Sequence, residues 1–524
     1  MTTAPEAADA PQMTPREVLV SISGIMLAML TTILSSTVVG TSLPVIMHDL
    51  HGGQSAYTWV VTASLLAMTV STPVWGKLAD LFSRKLLVQV ALSVFVAGSM
   101  VAGLSEQAWQ LIAMRVLQGL GAGGLMSLSM VLISDIISPR QRGRYVGVLA
   151  AVMSIGTLGG PLLGGVITDT VGWRWNFYVG VPLGLAAAVV LHRTLHLPRW
   201  QRRQVRIDYL GAVLIAAGVG TLLVWVSLAG QQFPWWSTQT IVLTCASAVL
   251  LAFAIWQQTR APEPIIPLSL FRNRTITATV VASVTIGVAM FGAIIFLAQY
   301  MQIARDKTPT ESGLLTMPLM VASLVSSTVT GQLVTRTGRY KPFMLLGATS
   351  LAAGTLLMST IDEHTSFVTL GLFMALIGAG MGACMQNLVL AAQNVTDVRQ
   401  MGVTTATVTF FRTLGGAVGV SVLGAVLGNR VGTLVSQGLA QLGITTAGGA
   451  GGASVPDPSA LPAPVRAVVE HAYAQGVADL FLAAVPMALV AIIAIALMPE
   501  TRLDTKSGLQ KMSDYAGAAP SHTR

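Results

Sequence analysis

Long apolar stretches dominate the chain, and each is long enough to form a helix that crosses a lipid bilayer. A spanning helix needs about 20 mostly apolar residues, and fourteen stretches meet this requirement. Only 10% of the residues are charged, against about 25% in a soluble domain. The predicted fold is therefore an all-α membrane protein with fourteen transmembrane helices, at approximately 18–46, 56–76, 86–104, 109–134, 143–168, 175–196, 208–229, 238–259, 276–302, 311–334, 341–361, 366–393, 402–428 and 476–498.

The positive charges orient these helices. If the N-terminus is cytoplasmic, 23 of the 30 Lys and Arg residues lie in inside segments, 5 lie outside, and Arg115 and Arg412 lie within spans. Cytoplasmic loops of membrane proteins carry the excess of Lys and Arg. Both termini are therefore predicted to be cytoplasmic, and the net charge of +9 needs no nucleic-acid partner to explain it.

Two motifs recur at one spacing, which indicates duplicated halves. The segment Gly76–Lys85 recurs at Gly331–Lys341, an offset of 255, and Thr157–Gly160 recurs at Thr413–Gly416, an offset of 256. Parallel repeats around a site at the membrane midplane are a transporter architecture. The predicted organisation is a cytoplasmic tail (1–17), a six-helix bundle (18–196), a basic segment with two extra helices (197–275), a second six-helix bundle (276–498) containing a flexible Gly- and Pro-rich external loop (429–475), and a cytoplasmic tail (499–524).

The charges that lie deepest in the predicted membrane are cationic. Arg115 lies within the fourth span, and Arg412 lies about ten residues into the thirteenth. A charge in the bilayer core costs several kcal/mol, so such a residue is a functional-site hypothesis by default. Arg115 has a structural alternative, because its side chain could extend toward the outer surface. No acidic residue lies at similar depth in the sequence.

Four strings carry a resemblance to a known family. They are Gly76–Lys85, Leu111–Gly124, Gly156–Gly165 and Trp173–Pro182. Together they resemble the signatures of the major facilitator superfamily, and the whole chain is most similar to its fourteen-helix branch of drug:proton antiporters. In the third string, small residues three to four positions apart give one smooth helix face, and Pro161 kinks the helix.

The resemblance implies roles for the residues of these strings. In the family, the charges of the first string latch the inward gate, and the third string marks exporters. The implied gate and conformational residues are Gly76, Asp80, Arg84, Lys85, Gly156, Gly159, Gly160, Pro161 and Gly164.

The chain departs from the family pattern where the proton site is expected. The branch commonly has an acid in the first span where this chain has Ser35, and Gly180 replaces the usual Asn of the fourth string. A buried acid can titrate near neutral pH, whereas serine cannot. Arg115 supports proton coupling in the family, and Asp135 and Asp479 are the predicted displaced carboxylates, because they lie nearest the helix interiors.

Polar side chains within the spans are the predicted substrate contacts, because amides at this depth need partners. The candidates are Ser35, Gln118, Gln299, Gln386, Asn387 and Arg412.

The favoured function is secondary active export of amphipathic drugs or toxic compounds across the bacterial inner membrane, in exchange for protons. The alternative is export of a lipid-like or anionic metabolite, which the deep cations suggest and which need not be coupled to protons. A membrane enzyme is opposed by the lack of a catalytic cluster, and a channel by the repeat. The sequence has no phosphate-binding loop for ATP, and no metal site or cofactor is predicted. The expected partners are the substrate, protons and the lipid bilayer, with no nucleic acid, and the expected state is a monomer.

Overall fold

The computed structural model describes residues 15–136, 159–195, 208–229, 236–262, 264–396, 400–442 and 461–501, with single positions between them. Every named element within these ranges is a helix. Twelve of these helices are long and apolar enough to cross a membrane. The outer end of the bundle is the end that carries the connection between the first two helices, which the charge pattern places outside the cell.

The first half contains seven helical segments. α1 (Pro15–Asp49), α2 (Gln54–Leu81), α3 (Arg84–Ala102) and α4 (Ala108–Ile136) alternate in direction. The described part of α5 covers 159–170. A one-turn helix, α6 (Trp175–Tyr178), then leads into α7 (Gly180–Thr194).

The second half repeats this order. α10 (Arg274–Gln299) continues into a π-helical turn (Tyr300–Ala304), and a short α11 (Pro309–Leu315) leads into α12 (Met317–Thr337). The half is completed by α13 (Lys341–Met358), α14 (Phe367–Asn394), α15 (Met401–Gln441) and α16 (Ala463–Leu497).

Equivalent helices pack alike in the two halves. α2 packs on α4 as α12 packs on α14, and α1 packs on α7 as α10 packs on α16. In the contact between α2 and α4, two glycines of α4 that are four residues apart lie against α2. A Cβ atom on Gly119 or Gly123 would overlap the backbone of α2. Gly378 and Gly382 of α14 approach the backbone of α12 in the same way. Small residues at this spacing let helices approach closely in membranes, so the repeat seen in the motifs extends to the packing.

Two helices lie between the halves in the sequence, and in the structure they pack beside the halves. α8 (Tyr209–Leu228) packs against α2 of the first half, α15 of the second half and α9 (Thr238–Arg260). The buried carboxylate of Asp208 caps α8 by accepting a hydrogen bond from Gly211 N, and it also accepts hydrogen bonds from the side chains of Gln257 and Gln258. Asp208 therefore ties the inner ends of the two extra helices together.

The structure corrects the predicted external loop 429–475. α15 continues to Gln441 and α16 begins at Ala463, so helix covers both ends of that segment. Gly438 packs closely on Val468, and Gly476 packs on Leu427. The sequence interpretation gave the Gly- and Pro-rich middle too much weight, because the prolines begin only at Pro456 and the flanks have ordinary helix-forming composition. These extensions form a helical hairpin beyond the membrane span.

The described residues contain twelve candidate spans, and the two other predicted spans are accounted for as follows. The stretch 56–76 lies within the 28-residue helix α2, and 143–168 is described only in part. The structure therefore supports an all-helical, multi-pass membrane protein with two similar halves, while the count of fourteen remains a prediction.

Candidate functional site

The described hydrogen bonds that join the two halves lie toward the outer end. Gln54 of α2 and Gln299 of α10 exchange hydrogen bonds through their amide groups, at 2.7 and 3.4 Å. Gln302 Nε2 donates to the carbonyl oxygen of Thr41 at 2.6 Å. The Tyr57 hydroxyl donates to the carbonyl oxygen of Ile295 at 3.0 Å. These neutral bonds close the outer end and can be exchanged for bonds to water when the halves part.

A second contact of the same kind joins α2 to α15. The hydroxyl oxygens of Thr62 and Ser421 lie 3.3 Å apart, and a Cβ atom on Gly424 would meet the side chain of Thr58. Both contacts lie in the outer parts of their helices. The outer closure therefore involves both sides of the bundle.

The string Gly156–Gly165 forms two separate close contacts. A Cβ atom on Gly160 would meet the Thr37 side chain, and one on Gly164 would lie 2.6 Å from the carbonyl oxygen of Val38, so these glycines admit α1. A Cβ atom on Gly165 would lie 2.5 Å from the carbonyl oxygen of Pro309, in the other half.

Pro161 and Gly156 take part in the same two contacts. A Cβ atom on Gly313 of α11 would lie 2.7 Å from the carbonyl oxygen of Pro161, which faces the other half. A Cβ atom on Gly156 would lie 3.0 Å from the Ile33 side chain of α1. The string therefore packs α5 on α1 within its own half and on α11 across the outer end.

Gly159 does not share this role. A Cβ atom at this position would meet no atom of the described residues within 4 Å. Gly159 therefore makes no close contact with a described helix in this conformation, and its conformational role stays a prediction. The sequence pattern could not distinguish the glycines, because which of them faces a neighbour depends on the rotation of α5 about its axis.

One carboxylate also joins the halves at the outer end. Asp169 Oδ2, near the end of α5, accepts a hydrogen bond from the backbone N–H of Thr310 at 3.0 Å. Thr310 lies in the first turn of α11, where the helix dipole favours a negative charge. This bond differs from the amide and hydroxyl bonds of the closure because its acceptor is an ionisable side chain.

Arg115 is buried and satisfied by neutral groups. Its Nε donates to the carbonyl oxygen of Val60 at 3.1 Å, and its Nη1 donates to Gln118 Oε1 at 2.5 Å. Gln118 Nε2 donates in turn to Ser99 Oγ at 2.7 Å. The side chain of Arg115 is 4% exposed and therefore does not extend to the outer surface. This network joins α2, α3 and α4 with no carboxylate among its described members.

The two residues that depart from the family pattern, Ser35 and Gly180, are in contact. Ser35 is buried in α1, and its hydroxyl has no hydrogen-bond partner among the described residues. A Cβ atom on Gly180 would lie 2.5 Å from Ser35 Oγ. The serine and the glycine thus form one tightly packed contact between α1 and α7, at the place where an acid and an amide are expected from the resemblance.

The other predicted cavity residues are dispersed. Gln299 is buried in the outer closure. Asn387 is buried and donates to the carbonyl oxygen of Ala383 in its own helix, whereas Gln386 is exposed. Arg412 is partly buried in α15 of the second half. The structure therefore does not gather the six candidates into one site.

The inner-gate string and the predicted proton carriers are described to different extents. Gly76 and Asp80 lie in α2 and Asp135 lies near the end of α4, but the side-chain surroundings of these positions fall outside the described residues. Arg84 Nε donates to the carbonyl oxygen of Ala79 at 3.4 Å, and Lys85 follows it at the start of α3. Asp479 accepts a hydrogen bond from Arg430 Nε at 2.6 Å, near the external hairpin.

Several contributors to the outer closure were not predicted from the sequence. They include Gln54, Tyr57, Thr62, Ser421, Asp169 as a link between the halves, and Thr310. A short polar side chain at a helix end has no distinctive pattern, and its partner is more than a hundred residues away. The Gly- and Pro-rich string of α5 was the available signal, because it indicated that another backbone approaches there.

Comparison with known proteins agrees with this architecture. The family model described as the Major Facilitator Superfamily matches residues 25–420. An uncharacterized MFS-type transporter of Mycobacterium tuberculosis is 36% identical over 507 residues, covering 96% of this chain and 73% of that protein. The multidrug transporter protein MdtP of Bacillus subtilis is 37% identical over 418 residues, covering 80% of this chain and 77% of that protein.

Solved structures show the same fold. A bacterial homologue of the human lysosomal transporter Spinster, in an inward-facing and unoccupied conformation, aligns with a TM-score of 0.65 at 14% identity, covering 93% of this chain and 97% of that one. The inward-open xylose transporter XylE of E. coli aligns with a TM-score of 0.57 at 14% identity, covering 95% and 99%. The two similar helical halves, the motif strings and these matches establish that the chain belongs to the Major Facilitator Superfamily.

Proposed function

We propose that this transporter exports amphipathic drugs or other toxic compounds from the bacterial cytoplasm, in exchange for protons. The contact between α5 and α11 carries the proposal, because the antiporter-like string supplies Gly165 and Pro161 to it. Relatives named multidrug transporter protein and multidrug resistance protein 3, both from Bacillus subtilis, support the substrate class.

Alternating access supplies the transport step. With the halves joined toward the outer end, substrate enters from the inner side. Outward opening then requires the halves to part at the neutral amide and hydroxyl bonds and at the glycine contacts of α5. Because the amides and hydroxyls can bond to water instead, their separation leaves few buried groups unpaired.

We further propose that a carboxylate outside the bilayer core carries the proton. Ser35 cannot titrate, and the described partners of Arg115 are neutral. Asp135 and Asp479 are the candidates. Asp479 is ion-paired with Arg430, so protonation would break a contact between α15 and α16. Export could thereby be linked to the external hairpin.

Substrate-induced proton release tests this function directly. Ethidium added to the weakly buffered, detergent-purified protein should release protons, because substrate and proton compete for the carrier. Asp135→Asn or Asp479→Asn should reduce the release, whereas Asp362→Asn, in the exposed loop before α14, should not. No release from the wild type would refute antiport, and full release from both Asn variants would remove both candidates.

Location and assembly complete the proposal. The transporter lies in the bacterial cytoplasmic membrane with both termini in the cytoplasm and functions as a monomer. The positive-inside distribution of Lys and Arg supports this orientation. The energy source is an ion gradient rather than ATP.

A further inference from the structure

Arg412 lies deep in the second half of the bundle. It follows Met401, the first residue of α15, by 11 residues. At 1.5 Å per residue this is a rise of about 16 Å, which is close to the middle of a hydrocarbon core about 30 Å thick. The side chain therefore cannot bring its charge to either membrane surface without crossing several ångströms of core.

Arg412 differs from the other deep cation in having no hydrogen-bond partner among the described residues. Arg115 is held by a backbone carbonyl and an amide oxygen. Across the part of the chain that the structure describes, no hydrogen bond or ion pair reaches the side chain of Arg412. Arg115 is thus satisfied within the protein, whereas the guanidinium of Arg412 has five N–H donors available.

The backbone around Arg412 is firmly packed. A Cβ atom on Gly287 of α10 would meet the carbonyl oxygen of Arg412, so the two helices touch at this point. The ring of Phe411 makes edge-to-face contacts with Phe271 and Phe410. The position of the Arg412 Cα is therefore fixed, and the two aromatic rings occupy the preceding positions of the same helix.

Two further polar groups in the same part of the second half lack partners among the described residues. Ser283, about one turn from Gly287 on α10, is fully buried with an unpaired hydroxyl. Thr404, two turns before Arg412 on α15, is also fully buried and its hydroxyl also lacks a described partner. Buried polar groups are nearly always hydrogen-bonded in native proteins. They lie on the two helices that meet at Arg412, so the guanidinium is not the only polar group without a described partner in this part of the second half.

The partial exposure of Arg412 shows where the charge can point. An unpaired charge facing lipid hydrocarbon costs several kcal/mol, which favours an orientation of the exposed part of the side chain toward water rather than toward lipid. The halves are joined toward the outer end by the amide, hydroxyl and glycine contacts. Space that opens between them toward the cytoplasm is the space from which a substrate enters.

We propose that Arg412 binds the anionic group of an amphipathic substrate, a carboxylate, sulfonate or phosphate, whose apolar part packs beside Phe410 and Phe411. The proposal rests on the export function above and adds anionic amphiphiles to the cationic compounds, such as ethidium, with which that function is tested. A guanidinium matches such oxyanions through paired hydrogen bonds. The lack of a competing carboxylate at this depth, in the sequence as a whole, leaves its charge available.

A matched pair of ligands tests the proposal by binding alone. 11-(Dansylamino)undecanoic acid and its primary amide share one apolar body and differ in charge. Dansyl fluorescence titrations of the purified protein should show that the wild type binds the acid at least about tenfold more tightly than the amide. Arg412→Gln should remove this preference, and Arg412→Lys should keep most of it, because the charge remains.

Arg260→Gln is the matched control. It removes a cation that stacks on Trp256 at the inner end of α9, away from the proposed site, and it should keep the preference for the acid. Equal binding of acid and amide by the wild type would overturn the proposal. A preference that survives in Arg412→Gln would also overturn it. Gel filtration of each variant confirms that the comparison is made on folded protein. If the Gln variant does not fold, Arg412→Met, which keeps the length of the side chain but removes the charge, takes its place and should also lose the preference.

Competition identifies the source of the anion, and efflux separates this proposal from the export function. Displacement of the dansyl acid by phosphatidylglycerol but not by octyl sulfate would assign the site to a lipid headgroup, and displacement by both would assign it to small anionic amphiphiles. Ethidium efflux that persists in Arg412→Gln, together with lost acid preference, would support both proposals. If the wild type exports no ethidium, the proposed export function is overturned. The acid preference measured by the binding titrations is not affected by that result.

Discussion

At the scale of single residues, the contact between Ser35 and Gly180 explains how the chain accommodates its departure from the family pattern. Ser35 Oγ fills the space that a side chain at position 180 would need. The hydroxyl is also unpaired among the described residues, so it contributes volume but no hydrogen bond. The serine is a packing residue in this structure, and the two substitutions are physically linked.

This linkage gives a double-mutant prediction. Gly180→Ala should destabilise the protein by about 1–3 kcal/mol, because its Cβ would overlap Ser35 Oγ in a packed region. In a Ser35→Ala background the same change should be nearly neutral, since the nearest atom at position 35 would then be the Cβ, at 3.9 Å. Thermal unfolding of the four proteins in detergent measures the coupling.

The Ser35→Ala single variant is the control for this double-mutant experiment. Losing an unpaired buried hydroxyl should leave stability unchanged or slightly raised, and substrate-induced proton release should be unaffected. An additive result, with Gly180→Ala equally harmful in both backgrounds, would show that the two residues do not contact each other in the membrane.

At the scale of helices, the α5 string separates into contacts that face α1 and contacts that face α11. The sequence predicted a smooth packing face, and the close approaches at Gly160, Gly164 and Gly165 agree with this. It did not predict that Gly159 has no close neighbour among the described residues. Spacing gives the periodicity of a helix face, whereas the rotation of that face toward a neighbour depends on the tertiary packing.

Gly165 and Gly159 therefore form a matched pair for the outer closure. Gly165→Leu should part α5 from α11, because its side chain would enter the backbone at Pro309 and Thr310. Gly159→Leu should leave the closure intact. A disulfide between Thr62→Cys and Ser421→Cys reports closure, since the native hydroxyl oxygens lie 3.3 Å apart.

The measurement is made in a Cys245→Ser, Cys384→Ala background, which removes both native cysteines. Cross-linking should fall several-fold in the Gly165→Leu variant and stay at the parent rate in the Gly159→Leu variant. Equal cross-linking in both would show that the contact between α5 and α11 does not hold the outer end closed.

The carboxylate of Asp169 gives a second prediction for this closure. Asp169→Ala removes the acceptor for Thr310 N–H and should reduce cross-linking of the same cysteine pair. Asp169→Asn keeps an acceptor oxygen but loses the attraction between a charge and a helix N-terminus, which is typically about 0.3–1 kcal/mol. Its effect should be intermediate. Cross-linking in Asp169→Asn that falls as far as in Asp169→Ala would assign the effect to charge rather than to the hydrogen bond.

At the scale of the whole molecule, the two halves and their connection follow from the sequence, while the site between them does not. Repeated motifs at offsets of 255 and 256 residues predicted the duplication, and helix packing in the structure repeats likewise. The partners of Asp169 and Gln302 could not be predicted, because they lie 141 and 261 residues away in the sequence. The helical extensions of α15 and α16 were missed for a different reason, since composition outweighed local helix propensity.

The topology of the whole chain provides the last prediction. Fourteen spans with cytoplasmic termini require that reporters fused after Arg142, Arg203 and Lys341 report the cytoplasm, while a reporter inserted within 446–460 reports the exterior. The charge distribution of 23 inside and 5 outside is the reason. Alkaline phosphatase and green fluorescent protein fusions at each position give opposite readouts and so control for expression.

The fusion after Arg203 is decisive, because it follows the first six-helix half and precedes α8. An exterior readout there would require an odd number of spans in the first half. It would contradict the repeat that relates that half to α10–α16.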